Sequence, residues 1–341
     1  MYSAALFADF FAPYGYDDEQ RLLSYCPPAR IHLFDGRGRF RGPFIYGLKI
    51  SLGRYRRKVY SEDRSRIYPL RLFARRKAYR FLGIWRWDRC LLGLSGDVFP
   101  AGPSQGLAGG GRRKEARLFL WGADLRGRDI FSRIIYGARI SLTVGLIGVA
   151  ISFAIGLFLG GVAGFYGGRV DNLIMRACEM VMMIPGFYVM LALRAAFPAN
   201  LSSGQVYVLI VVIFSFIGWA GLARVIRGMS ISLREREYVL AARALGVPDA
   251  AIILRHILPH CLSYAVVAAT LSVPSYILAE AGLSFLGLGV QDPVPSWGNM
   301  LSQAMGVAQI SFYPWLLLPG AFIFLTVSSF NLLGDGLRGR G

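Results

Sequence analysis

Residues 140–166 read ISLTVGLIGVAISFAIGLFLGGVAGFY, a run of 27 residues without a charged side chain. An α-helix needs about 20 predominantly apolar residues to cross the hydrocarbon core of a bilayer. The stretch is therefore long enough to span a membrane, and it sets the class of the protein. Small residues recur at every fourth position along it: Gly148, Ser152, Gly156, Gly160 and Gly164. On a helix they form one row, which lets a neighbouring backbone approach closely.

Four further segments have the same apolar character and predict additional spanning helices. With the first, the predicted spans cover about 140–166, 173–197, 206–223, 262–290 and 313–333. Segment 173–197 is the least uniform, because it contains Arg176, Glu179 and Arg194. Pro185, Pro274 and Pro319 are expected to break or bend three of the spans. The sequence thus predicts an all-α polytopic membrane protein with five complete spanning helices.

The basic residues of the short connections predict the orientation, because Lys and Arg mark the cytoplasmic side. Arg169 and Arg176 follow the first span, whereas the connection 198–205 is uncharged. Six arginines crowd the next connection: Arg224, Arg227, Arg234, Arg236, Arg243 and Arg255. Residues 291–312 lack Lys and Arg, and the tail 336–341 contains Arg338 and Arg340. This alternation predicts a cytoplasmic C-terminus and an extracytoplasmic residue 139.

The charge of the chain is concentrated before the first long span. Residues 1–139 contain 27 Lys and Arg against 12 Asp and Glu, whereas residues 140–341 contain 11 against 8. Long segments are translocated largely regardless of charge, so residues 13–138 are expected to form a long extracytoplasmic loop. Residues 1–12 are apolar but too short to span, so we expect them to be the end of a first transmembrane helix that begins upstream.

Several classes of function are excluded by what the sequence lacks. No G-x-x-x-x-G-K-[ST] phosphate loop is present, so the chain is not predicted to bind ATP by that device. We find no paired catalytic carboxylates, no cofactor fingerprint and no metal-ligand spacing of cysteines. Cys26 and Cys90 could form a disulfide or remain free thiols. The basic clusters 54–58 and 75–77 are predicted to form a solvated face or a surface near anionic headgroups, and not a nucleic-acid site.

Two charged residues within the predicted spans are candidate functional groups. Glu280 and Arg194 lie at positions that should fall in the outer halves of their helices. Charge inside a membrane is costly and is usually paired or functional. We therefore expect these two side chains to pair with each other.

The basic connection 224–261 contains a structured element. Residues 234–259 read REREYVLAARALGVPDAAIILRHILP. A helix is predicted around Tyr238–Leu245, with Gly246 as its C-terminal stop and a second short helix that continues to Pro259. Such a helix, exposed between two membrane spans, suits contact with a cytoplasmic partner. A plain surface helix is the alternative.

The spacing of Leu240-Ala241-Ala242, Gly246 and Leu258-Pro259 resembles the EAA…G…LP coupling loop of binding-protein-dependent ABC transporter permeases. The similarity extends over roughly 120–338 and indicates the second permease subunit type of the dipeptide/oligopeptide branch. The other matching stretches are 122–142, 279–289, 295–300 and 331–338. Leu240 departs from the motif, which usually has an acid there. Residues 15–119 are an insertion that is only loosely similar to the family.

The resemblance implies a type-1 ABC importer transmembrane domain at 139–335. Its ATPase-coupling residues would be Tyr238, Leu240, Ala241, Ala242, Gly246, Leu258 and Pro259. The implied partners are a second homologous permease, two cytoplasmic ATP-binding subunits and an extracytoplasmic solute-binding protein, in a bacterial inner membrane. The chain would need no cofactor and would leave ATP hydrolysis to its partners.

Two other classes of function are weighed against this one. A self-sufficient channel or secondary transporter would be expected to show ion relays or inverted repeats in its spans. A membrane-anchored binding module would centre on the basic segment before residue 139. Peptide is the substrate class expected from the resemblance, with nickel, sugars or other solutes as alternatives.

Overall fold

The strands of the protein lie in the N-terminal part of the chain, and the long helices follow them. The computed structural model describes residues 1–36, 38–53, 57–81, 85–95, 99–100, 116–183, 185–198 and 201–338. The chain divides into two units. The strand-containing unit comprises Met1–Arg139 and Pro293–Pro319, and the helical unit comprises Ile140–Asp292 and Gly320–Gly341.

The strand-containing unit is built on an antiparallel sheet. In the described part of the chain its strands are β1 (His32–Phe34), β2 (Phe40–Leu52), β3 (Lys58–Phe81), β4 (Trp85–Leu94) and β5 (Phe99–Pro100). Strands β1 to β4 are neighbours in chain order, and β5 pairs with β3. The register sets Ile45 opposite Tyr68 and Leu70 opposite Leu94. These side chains pack with Leu118 into one core cluster of the unit.

The prediction of an all-α protein is wrong for this unit, although most of the described chain is helical. The segment expected to be a long loop contains the sheet instead. Its strand signal is weak in the sequence, because Pro69 lies within β3 and Phe73 interrupts the same strand with a backbone φ of 55°. Alternation between apolar and polar side chains is lost at such irregularities.

The two cysteines of this unit are not joined. Cys26 and Cys90 are both buried free thiols. Cys26 packs with Leu23, Phe119 and Ala123, and burial raises the pKa of its thiol to about 12. Both cysteines therefore behave as small core residues, and the structure does not contain the disulfide that the sequence left open.

Helices account for most of the remaining described chain. They are α1 (Tyr2–Leu6), α2 (Ala8–Phe11), α3 (Ile130–Tyr166), α4 (Gly168–Met183), α5 (Gly186–Ala196), α6 (Ser203–Arg234), α7 (Glu237–Ala244), α8 (Asp249–Ile252), α9 (Leu258–Phe285), α10 (Trp297–Leu301), α11 (Val307–Phe312) and α12 (Leu318–Arg338). A π-helical turn, Ile253–Ile257, joins α8 to α9. Within the described residues, four helical segments are long and apolar enough to cross a membrane: Ile130–Tyr166, Ser203–Arg234, Asp249–Phe285 and Pro314–Arg338.

The segment predicted as the span 173–197 is divided into α4 and α5. The two helices have 16 and 11 residues, and Pro185 lies between them. Proline lacks a backbone N–H and clashes with the preceding helical turn, so it readily ends a helix. Pro274, in contrast, lies inside α9 without ending it. A count of five complete spans therefore stays a prediction.

The row of small residues in α3 packs against α6, as the sequence predicted. Alanine-like Cβ atoms placed on its glycines would lie only 2.5–2.7 Å from backbone oxygens of α6. The pairs are Gly156 with Trp219, Gly160 with Ala223, and Gly164 with Arg227. One turn earlier, the Ser152 hydroxyl donates to the Phe214 carbonyl at 3.3 Å. Only small side chains permit this approach of two backbones.

Candidate functional site

Helix α7 lies in the connection between α6 and α9, and a glycine cap ends it. Gly246 has a φ of 78°, a left-handed conformation that glycine adopts without strain. The Gly246 N–H donates to the Arg243 carbonyl at 3.0 Å, and the Val247 N–H donates to the Ala242 carbonyl at 3.1 Å. This pair of bonds is a Schellman motif, which satisfies two carbonyls at the helix end. The predicted stop at Gly246 is confirmed.

One side of α7 is part of the core of the helical unit. Val239 and Ala242 are 1% and 8% exposed. They share a cluster with residues from α3, α6, α8, the π-helical turn and α9: Phe165, Leu222, Ile226, Ile252, Ile253, Ile257 and Cys261. Helix α7 is thus packed against the membrane helices and does not hang from them as a free loop.

The opposite side of α7 exposes apolar side chains. Tyr238 is 39% exposed, Leu240 is 51% exposed, and Leu245, directly before the cap, is 85% exposed. Ala241 is also exposed. The Tyr238 ring stacks on the His260 ring with centroids 5.5 Å apart. Clustered exposed apolar side chains are typical of protein–protein contact sites.

The remaining predicted coupling residues, Leu258 and Pro259, begin α9. Leu258 packs against the same core cluster, and its Cδ2 atom lies 2.5 Å from where a Cβ of Gly161 would be. Pro259 occupies the first turn of α9, where its missing N–H leaves no bond unmade. The structure therefore places the seven predicted residues in one continuous stretch, with Ala242 and Leu258 facing the core.

Sequence reasoning missed two electrostatic contacts around this site. The Arg243 guanidinium lies 4.8 Å from the centroid of the Phe165 ring and 3.8 Å from the Asp249 carboxylate. Arg227 of α6 forms a two-pronged ion pair with Asp171 in the first turn of α4. The signal that could have indicated the second pair is Asp171 itself, an isolated acid between Arg169 and Arg176.

The carboxylate of Glu280, a residue of α9, is fully buried. The Ser141 hydroxyl donates to its Oε2 atom at 2.9 Å, and the Ser284 hydroxyl donates to its Oε1 atom at 2.7 Å. Ser284 also accepts a bond from the Val290 N–H at 3.2 Å. Glu280 thereby joins α3 and α9. The side chain of Arg194 lies outside the described residues, so its pairing with Glu280 stays a prediction.

Replacement of Glu280 with Gln is expected to lower the thermal stability of the detergent-solubilised chain. An amide carries no charge and offers one acceptor oxygen in place of two, so both serine contacts become neutral hydrogen bonds and one must reverse its direction, at a cost of about 1–2 kcal/mol. Glu179→Gln is the matched control, because the Glu179 side chain is 50% exposed and pairs with Arg176 of its own helix. Equal melting temperatures for the two variants would contradict the proposed link between α3 and α9.

The family of the chain follows from its similarity to known proteins. Residues 156–340 match the model of the binding-protein-dependent transport system inner membrane component. The chain belongs to this family. The matched region of the permease includes α7, its cap and the start of α9. The match places the protein among multi-pass inner-membrane components.

Relatives of the permease include peptide transport subunits. The oligopeptide transport system permease protein OppC of Haemophilus influenzae is 45% identical over 220 residues, which are 64% of this chain and 68% of that protein. The dipeptide transport system permease protein DppC of Bacillus subtilis is 41% identical over 218 residues, which are 64% and 66% of the two chains. A solved structure of the MetNI methionine ABC transporter has 18% identity and a TM-score of 0.46, with 62% of this chain and 97% of that chain covered.

In the permease, a buried ion pair organises the turn before α3. The Asp124 carboxylate accepts a bond from the Arg128 side chain at 2.7 Å and from the backbone N–H of Arg126 and Arg128 at 2.8 and 2.9 Å. Asp124 and Arg128 are 2% and 1% exposed. A buried charge pair is tolerated only with such additional hydrogen bonds. Both residues belong to the stretch 122–142 that resembles the family in sequence.

The next acid of this turn, Asp129, caps helix α3 of the permease. Its Oδ2 atom accepts bonds from the Ser132 backbone N–H at 2.8 Å and the Ser132 hydroxyl at 2.6 Å. Burial raises the pKa of the Asp129 carboxyl to about 7, against the lowering effect of those bonds. The cap is therefore only partly ionised near neutral pH.

The loop after α9 is fixed by Trp297, which is fully buried. Its indole N–H donates to the Ile134 carbonyl at 3.0 Å. Ser296 and Asn299 cap α10 reciprocally, each accepting a bond from the other's backbone N–H. Residues 295–300 (PSWGNM) of the permease thus hold the loop after α9 against the first turns of α3.

Proposed function

We propose that this permease is a transmembrane subunit of an ATP-driven importer that takes up peptides or similar small solutes. The observation that carries the proposal is α7, a capped helix with one side in the membrane-helix core and an exposed apolar side. The relatives from oligopeptide and dipeptide systems support peptides as the substrate class. Membership in a binding-protein-dependent family argues against a self-sufficient channel or secondary transporter.

The importer would contain three kinds of protein partner. They are a second homologous permease, two cytoplasmic ATP-binding subunits and an extracytoplasmic solute-binding protein that delivers the substrate. ATP hydrolysis would belong to the ATP-binding subunits, in keeping with a sequence that has no phosphate loop.

Coupling would work by pressure on α7. When the ATP-binding subunits close, they would push on the side that exposes Tyr238, Leu240 and Leu245. Because Val239 and Ala242 belong to the cluster that joins α3, α6 and α9, the push would move these three helices as one group. The spans would then alternate between inward-facing and outward-facing arrangements.

The proposed topology follows the basic connections. The arginine-rich connection that contains α7 and the C-terminal tail would be cytoplasmic, and the strand-containing unit would be extracytoplasmic. This arrangement puts α7 on the side where ATP is available. Glu280 and Arg194 would lie within the membrane, where the carboxylate holds α3 to α9.

The cap at Gly246 gives a direct test of coupling. Gly246→Val is expected to lower ATP-driven peptide uptake roughly tenfold, because a left-handed backbone costs L-residues about 1–2 kcal/mol and β-branched residues more. Gly246→Asn is the matched control, since asparagine tolerates this conformation at helix ends. The measurement is uptake of a labelled peptide by proteoliposomes that contain the whole importer and its binding protein.

ATP hydrolysis by the same proteoliposomes separates coupling from assembly. We expect the valine variant to insert and to retain the ATP-binding subunits while hydrolysis no longer responds to the loaded binding protein. If the Gly246→Val variant takes up peptide at the wild-type rate, the end of α7 takes no part in coupling. Absence of peptide uptake by the wild-type importer would refute peptides as the substrate class.

A further inference from the structure

The β3–β4 hairpin is the most basic part of the strand-containing unit. Residues 71–89 include six Arg and one Lys against a single acid, Asp88. Arg75 lies opposite Arg89, and Tyr79 lies opposite Trp87 beyond a shift in the register of the two strands. Like charges directly opposite each other destabilise a sheet, so this arrangement costs the isolated domain stability.

The cations of this hairpin are available to a ligand. Arg75, Arg86 and Arg89 are exposed, and Trp87 is 47% exposed. Across the part of the chain that the structure describes, none of these three arginines forms an ion pair. We name Arg75, Tyr79, Arg86, Trp87 and Arg89 the hairpin end.

A separate set of contacts fixes the level of the N-terminal helices. Arg139 directly precedes the uncharged stretch 140–166, so it marks the boundary of the membrane. Its guanidinium donates to the Ala5 carbonyl at 2.6 Å and to the Asp9 carboxylate at 2.7 Å. Helices α1 and α2 are therefore held at the membrane boundary.

The hairpin is attached to the same N-terminal segment. Arg76 of β3 donates to the Asp9 carbonyl at 3.0 Å and to the Ala12 carbonyl at 2.6 Å. The rings of Phe10 and Phe73 lie 6.0 Å apart. These contacts attach Arg76, the neighbour of Arg75 in the hairpin end, to the N-terminal segment that Arg139 also binds.

We infer that the hairpin end binds the headgroups of anionic phospholipids on the extracytoplasmic surface of the membrane. Guanidinium groups bind phosphate oxygens in a bidentate manner, and Trp and Tyr are enriched at the membrane–water interface. Headgroup phosphates also relieve the repulsion between Arg75 and Arg89. The inference rests on the extracytoplasmic placement of this unit under the proposed function. An acidic protein surface would account for the arginines but not for their level at the membrane boundary.

The test uses the assembled importer in nanodiscs of phosphatidylcholine, either alone or mixed with phosphatidylglycerol. Ala78→Cys introduces an exposed thiol beside the hairpin end, and the four native cysteines are buried, so a fluorescent NBD label attaches at position 78. Nitroxides on the lipid headgroups then quench NBD in proportion to contact. We expect stronger quenching with phosphatidylglycerol than with phosphatidylcholine alone.

Charge reversal identifies the residues responsible. Each basic residue near an anionic surface contributes about 1 kcal/mol, or about fivefold in affinity. The triple variant R75E/R86E/R89E should therefore reduce quenching to the phosphatidylcholine level. The matched control is R30E/R64E/R66E, an equal change of charge at three exposed arginines of the same unit. The control should keep wild-type quenching, and quenching in the wild type should fall as salt is raised.

Equal quenching in both lipid mixtures, or equal loss in both triple variants, would overturn the inference. If lipids have no effect but the added solute-binding protein changes NBD emission, and R75E/R86E/R89E abolishes that change, the hairpin end is a protein-docking surface and the inference is wrong. Peptide uptake is measured in parallel on proteoliposomes that contain the same importer and its binding protein, because nanodiscs enclose no compartment. Failure of uptake by the wild type, with lipid-dependent quenching intact, refutes the proposed substrate and leaves the lipid contact standing.

Discussion

Replacement of Gly160 with leucine is expected to prevent folding of the helical unit. A Cβ at this position would lie 2.5 Å from the Ala223 carbonyl oxygen and 2.9 Å from the Ile226 Cβ. The first of these atoms belongs to the backbone, so it cannot move aside as a side chain could. Helices α3 and α6 must separate, and the expected result is little or no monodisperse protein after detergent extraction.

The milder change Gly160→Ala keeps this prediction measurable if the leucine variant is not recovered. Overpacking of a tight interface costs about 1–3 kcal/mol, which should lower the melting temperature of the solubilised chain. Gly228→Ala and Gly228→Leu are the matched controls, because no heavy atom lies within 4 Å of a Cβ at that position in α6. Alanine there should stabilise the helix by about 1 kcal/mol. Equal behaviour of the two alanine variants would contradict close backbone packing at Gly160.

Ala242→Asp is expected to abolish ATP-driven uptake. Ala242 is 8% exposed within the apolar cluster that joins α7 to α3, α6 and α9. An unpaired carboxylate there costs several kcal/mol, so α7 should leave the cluster rather than bury the charge. The permease should still insert, because its spanning segments are unchanged.

The matched control for this variant is Ala244→Asp, the same change two residues later on an exposed position of the same helix. Uptake by that variant should fall far less. Limited proteolysis of the connection between α6 and α9 provides a second readout, since an undocked α7 should be cut sooner in the Ala242 variant alone. Similar uptake and similar cleavage in both variants would show that docking of α7 is not what transmits force.

The features that could be predicted from the sequence depend on residues close together in the chain. The uncharged stretches predicted the long helices, and the small residues at every fourth position predicted a close backbone contact of α3, although not that α6 is its partner. Gly246 gave the end of α7, because a left-handed cap needs only a glycine and the turn before it. The family resemblance is confirmed by the matched family, whereas the coupling roles that it implies for residues of α7 and the start of α9 stay a prediction.

The features that were missed depend on partners far apart in the chain. The sheet pairs β2 with β3 in a register such as Phe44 opposite Pro69, and no local pattern shows that pairing. The strands of the sheet combine arginine with aromatic residues. Such a composition indicates a basic loop as long as the partner strand is not known. Arg243 over Phe165 and Arg227 with Asp171 likewise join residues 56 or more positions apart, and they become visible only when the helices are packed.

The glycine contacts between α3 and α6 also limit where the permease can deform. With backbone against backbone at Gly156, Gly160 and Gly164, no side chain can change rotamer to absorb relative movement. Helices α3 and α6 should therefore move as one rigid body throughout a transport cycle. Repacking then falls to surfaces with long flexible side chains, such as the exposed methionines of α4: Met180, Met182 and Met183.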